Sequence, residues 1–172
     1  MDTKTANMLA HYKAWADNGD VRRRREAATG RGRKGAQDPL QDNRGDAQSY
    51  LCRRPYLAGA PGRPRACFKA RNVVVQPELV VLRAAQDKMN DWIIDWARVQ
   101  SDASLAEEAS FTFVNGNKGT MKRGEMILHL VTHGSYHRGW VAESLFEAGS
   151  RSPQPDLSVF PCEAAQEWRS AI

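Results

Sequence analysis

Three of the chain's four histidines, His129, His133 and His137, recur at intervals of four residues. In a helix, consecutive members of such a series lie about 40° apart on one surface. Two imidazoles one turn apart can reach a single ion, which is why this spacing recurs in metal sites. On a wheel at about 100° per residue, Met126, Leu130, Val141 and Leu145 mark the buried face. His133 and His137 lie on that face towards one border, whereas His129 sits further out beside Glu125 and Tyr136. His133 and His137 are therefore the candidate metal ligands. The same spacing also suits two histidines that merely hydrogen-bond their neighbours, and two ligands do not make a site. Zinc and nickel want at least three protein groups, so a partner from another helix is required. Gly134 and Ser135 follow His133, so there is no HExxH of a zincin protease. A phosphate-cradling glycine loop and a GxSxG elbow are absent too.

The helix that carries these residues is expected to begin after Thr120, a good N-cap, and to run to Gly149, a good C′ residue. Residues 6–18 read as the start of another amphipathic helix. Met8, Leu9, Tyr12, Trp15 and Ala16 recur at steps of three and four, and Asn18-Gly19 reads as its stop. Pro77 suits the first turn of a third helix, with Leu82, Ala85, Met89, Trp92, Ile93 and Trp96 as its stripe to about residue 100. Ser101 and Asp102 break that stripe, and SLAEE adds a short turn. Phe111 to Val114 followed by NGNKG predicts a brief extended piece and a turn. The tail, with Pro153, Pro155 and Pro161, reads as a loop on the outside or a flexible end, and AAQEWRSAI as a final turn or two.

At 172 residues the chain fits one domain or at most two small ones, and 41% hydrophobic residues suffice for one core. No apolar run approaches the roughly 20 residues of a membrane helix. The opening MDTKTANMLAHYKAWADNGD lacks the pattern of a secretory signal. Cys52, Cys67 and Cys162 are odd in number and widely spaced, which points to a reducing cytoplasm. The formal charge of +5 invites a nucleic-acid reading, but it is uneven. Residues 21–65 hold 11 Arg and 1 Lys against 4 acidic residues, a net of +8, so the remainder carries −3. Composition predicts an irregular basic segment over 19–67, interrupted by Pro55, Pro61 and Pro64. As a nucleic-acid arm it is poorly equipped, because Tyr50 and Tyr56 are its only aromatic residues for stacking. A non-catalytic helical interaction module is the third alternative.

The run FTFVNGNKGTMKRGEMILHLVTHGSYHRGWVAE resembles the last long helix, with its approach, of the DinB/YfiT-like superfamily. MLAHYKAWADN is similar to the start of the first helix of DinB family proteins, and FKARNVVVQPELVVLRAAQDKMNDWIIDWA to their third. The resemblance covers residues 6–18 and 68 to about 160. It implies an all-α, four-helix up-down-down-up bundle, usually a homodimer. It also implies a divalent metal such as zinc or nickel on a histidine triad, one ligand from the second helix and two from the fourth. The latter two map onto His133 and His137. Relatives in this superfamily, named for damage-inducible expression, include thiol S-transferases and an isomerase that uses a low-molecular-weight thiol. An ancestral metal-dependent thiol transfer or hydrolysis of a small-molecule substrate is thus implied.

The chain departs from that pattern where the second helix should stand. The family motif there resembles T-L-N-H-I-x-x-x-D-x-x-W, and this region contains no histidine. Synonymous codons exist for GDAQSYLCRRPYLAGA that, read one base later, spell Thr-Leu-Asn-His-Ile-Tyr-Val-Val-Asp-Arg-Ile-Trp-Gln-Ala, the His codon straddling Ser49 and Tyr50. The same displacement turns VRRRREAAT into Phe-Asp-Ala-Val-Ala-Lys-Leu-Pro. Residues from about 19 to 66 are therefore expected to be a translated frameshift, an expectation that the nucleotide sequence decides. The organisation expected is a first helix over 1–18, the basic segment over 19–67, the remainder of the bundle over 68–160 and a tail over 161–172. The second helix would be missing or replaced by the Arg-rich segment, with the third ligand gone unless His129 or Cys52 substitutes. A bundle short of one helix would also be poorly stable, since each unburied Leu or Trp forfeits roughly 1.5–3 kcal/mol.

Overall fold

Spacing of apolar side chains, capping and one tight turn account for the elements in the computed structural model, which describes residues 1–29, 79–113, 116–147, 149 and 155–164. In chain order they are α1 (Thr3–Thr29), α2 (Leu79–Arg98), α3 (Asp102–Ala106), β1 (Glu108–Thr112), β2 (Lys118–Lys122), α4 (Arg123–Glu147) and α5 (Phe160–Glu163). The described chain is mostly helical. No helix among its described residues is long and apolar enough to cross a membrane.

The first helix does not stop at Asn18-Gly19 but continues to Thr29. Gly19 takes no left-handed conformation that would end a helix, and the Arg, Ala and Glu that follow are good helix formers on propensity alone. The expected irregular segment therefore starts no earlier than residue 30. From there it lies outside the described residues, as do Cys52, Cys67 and Pro77. At the other end of α1, the Asp2 carboxylate accepts the Thr5 amide at 2.7 Å as an N-cap. Asp102 accepts the Thr3 amide at the same distance, tying α1 to α3.

A capping box on Ser101 and Ser104 starts α3. The extended piece expected at Phe111 proves to be the first arm of an antiparallel hairpin, Glu108 opposite Lys122 and Phe111 opposite Gly119. Its turn uses Gly116 at φ +88°. Phe111 lies across the return strand, so closely that a Cβ on Gly119 would stand 2.7 Å from its ring. Because this strand occupies 118–122, Thr120 is not an N-cap. The α4 helix starts three residues later, where the Glu125 carboxylate reaches back to the Lys122 amide at 3.0 Å. Gly149 (φ +73°) closes α4, its amide bonded to the Phe146 carbonyl at 2.9 Å.

The helix α1 packs against both α2 and α4, while α3 and β2 lie on α4. Leu9 and Ala16 of α1, Met89 and Ile93 of α2, and Met126 and Leu130 of α4 are buried together in one cluster. Val141 and Leu145 are buried as the helical wheel expects. The tail is not merely external. Phe160 is 1% exposed, its ring 5.8 Å from Tyr12 and 5.6 Å from Trp15, so α5 closes one end of this core.

Candidate metal centre

Helix α4 places His133 and His137 on adjacent turns, both half-buried, and leaves His129 exposed. The two Nε2 atoms are 2.7 Å apart, with ring centroids at 4.4 Å and planes at 73°. A hydrogen bond between them needs one ring to donate from Nε2 and the other to accept there, the roles following from the tautomers. Around one tetrahedral zinc, two histidine nitrogens stand about 3.3 Å apart, given Zn–N bonds of about 2.0–2.1 Å. A small opening of the pair would bring the two nitrogens to that separation. His129 stacks on His133 at 5.4 Å and 27°, and the exposed Tyr136 ring lies 5.6 Å from His137. The series is thus a ladder of rings along α4, with the chelating geometry at one step only.

The helix is held in rotation by a polar network inside the core. Arg138 follows His137 and points the other way, into the protein. Its Nη1 donates to Asp17 at 3.1 Å, its Nη2 to Ser135 at 2.8 Å, and its guanidinium lies over the Tyr12 ring at 5.7 Å. Asp17 also accepts from Lys13 Nζ at 2.6 Å and Gln86 Nε2 at 3.0 Å. Asn90 Oδ1 accepts from both Lys13 Nζ and Gln86 Nε2. Burial holds the Lys13 ammonium below its usual range, with the Asp17 charge opposing that shift. Sequence reasoning missed this network. Lys13 and Asp17 stand four apart beside the apolar stripe of α1, but that spacing also describes an ordinary exposed ion pair.

Among the described residues no group of three His, Cys, Asp or Glu side chains converges on a metal position. The two imidazoles fit two corners of a coordination sphere, and the described residues do not complete it. Cys52, the alternative third ligand, lies outside them, and His129 is exposed. A family model described as the DinB family matches residues 76–169, more than half of the chain, a span that contains α2, α4 and both histidines of the pair. No curated protein and no solved structure matches the chain.

Proposed function

The chain belongs to the DinB family, and from that premise we propose that it is a helical-bundle protein whose divalent-metal site is reduced to the pair His133 and His137. The observation that carries this reading is the 2.7 Å approach of the two Nε2 atoms on neighbouring turns. Two imidazoles hold zinc or nickel far less tightly than three ligands do. The thiol S-transfer or hydrolysis implied by the family resemblance is then an ancestral activity, and this chain retains a weak cation site. The loss of the third ligand follows from the displaced reading frame over about 19–66, which removes the family's second-helix histidine.

The test is a titration of the full chain with Zn²⁺ and with Ni²⁺, followed by calorimetry and by the histidine ring signals in NMR. His133 and His137 signals should respond together, with His129 unaffected. Uptake should weaken as pH falls, because protons compete for the same nitrogens. A His133→Ala, His137→Ala variant should lose the response. Equal metal uptake by the variant would remove the proposed site.

A further inference from the structure

Granted the two-ligand cation site proposed above, on which this step rests, the spacing of His133 and His137 bears on which cation they hold. Bond length and the angle at the metal together fix the distance between two ligand nitrogens. With bonds of about 2.0 Å, a tetrahedral angle sets them about 3.3 Å apart and a right angle about 2.8 Å. The two Nε2 atoms stand 2.7 Å apart, the span of neighbouring corners of a square. The tetrahedral span needs the rings to spread. The right-angled one needs them only to turn their lone pairs towards a common point. The other step of the ladder lacks this geometry. His129 and His133 are also four apart, but their rings stack at 5.4 Å with planes at only 27°. A ring-nitrogen lone pair lies in the ring plane, so nearly parallel planes cannot bring two of them to one point. The planes of His133 and His137 stand at 73°, which lets theirs converge.

The number of ligands points the same way. Among the described residues no third His, Cys, Asp or Glu joins the pair. Proteins override the intrinsic order of divalent affinities by imposing a geometry through three or four ligands. Two ligands impose a bite angle alone, so the intrinsic order returns, with Cu²⁺ above both Ni²⁺ and Zn²⁺. Cu²⁺ also prefers a tetragonal plane of nitrogen and oxygen donors, whereas zinc prefers a tetrahedron. Both histidines keep part of their surface in solvent, from which oxygen donors can complete that plane.

We propose that His133 and His137 form a tetragonal copper(II) site, with two imidazole nitrogens on adjacent corners and solvent oxygens on the other two. A competition on the full chain sets Cu²⁺ against Zn²⁺ and against Ni²⁺, scored as the uptake that a His133→Ala, His137→Ala variant loses. That difference removes copper held elsewhere, at the cysteines or the amino terminus. Cu²⁺ should be held at least about tenfold more tightly than either rival, a difference of about 1.4 kcal/mol. Electron paramagnetic resonance should give a tetragonal spectrum, and its pulsed form should report two imidazoles. His137→Ala should leave one. His129→Ala changes an exposed residue outside the pair and should leave both the competition and the spectrum unchanged. Zinc or nickel held at the pair as tightly as copper, or a spectrum with other than two imidazoles, overturns the copper assignment and leaves the two-ligand site standing. Equal uptake of all three ions by the chain and the double variant removes the site itself, and the copper assignment with it.

Discussion

Asp17 is a carboxylate that Lys13, Gln86 and Arg138 share inside the core, so replacing Asp17 by Asn tests the packing of α1, α2 and α4 at once. The amide keeps the shape and removes the charge, leaving Lys13 and Arg138, 1% and 6% exposed, without the anion between them. Removing one partner of a buried ion pair costs about 3–5 kcal/mol, against a total stability of about 5–15 kcal/mol for a domain. At roughly 2–4 °C per kcal/mol for a chain of this size, the melting temperature should fall by about 6–20 °C. Urea denaturation followed by circular dichroism measures the change. Lys13→Met alone should cost less, because Arg138 and Gln86 still hold Asp17. The double variant should cost less than the two singles together, by about 0.5–3 kcal/mol of coupling. Burial lowers the folded-state pKa of Lys13, so between that value and 10.5 the unfolded chain binds the extra proton. Stability contributed at this site therefore rises with pH through that window, and Lys13→Met should flatten the alkaline limb. A cost below about 1 kcal/mol for Asp17→Asn, or strict additivity in the cycle, would refute the reasoning.

Two local expectations can be checked alongside. The Thr5 amide holds the Asp2 carboxyl below its ordinary range, so the cap persists above that range and is lost as pH falls through the depressed value; Asp2→Ala should abolish the matching pH-dependent shift of the Thr5 amide and speed its hydrogen exchange. Gly119→Ala should push the Phe111 ring off the hairpin, costing about 1–2 kcal/mol, and the ring-current shifts around Gly119 should disappear with it.

Much of the scaffold was legible because apolar periodicity reports burial directly. Spacing alone places Met126, Leu130, Val141 and Leu145 on the buried face of α4, and Met89 and Ile93 on that of α2, and all six are buried. Boundaries were less legible. Gly19 reads as a stop, yet a glycine caps a helix by turning left-handed, and here it does not. Thr120 reads as a cap, yet β2 claims it by pairing with Ser110, and the back-reaching Glu125 sets the helix start instead. The polar core was not legible at all. Periodicity scores Lys13, Asp17, Gln86 and Asn90 as surface, since nothing in a single helix shows that its polar residues face those of another.

On the proposed function, that hidden network bears on how two ligands could outlast a third. His137 and Arg138 are adjacent on α4 but serve opposite sides of it, one turned to its histidine neighbour and one to the core. Arg138 bonds to α1 through Asp17, and Gln86 and Asn90 carry the network on to α2. These bonds fix the rotation of α4 about its axis, and that rotation decides where the rings of His133 and His137 point. Lys13, Asp17, Gln86, Asn90 and Arg138, the described members of this chain of bonds, come from α1, α2 and α4. On the proposed reading frame, the displaced segment of about 19–66 would have cost a ligand, while these five residues lie outside it in the sequence. Metal affinity and α4 orientation are then separable: His137→Ala should weaken the cation site and leave the Asp17–Arg138 pair in place.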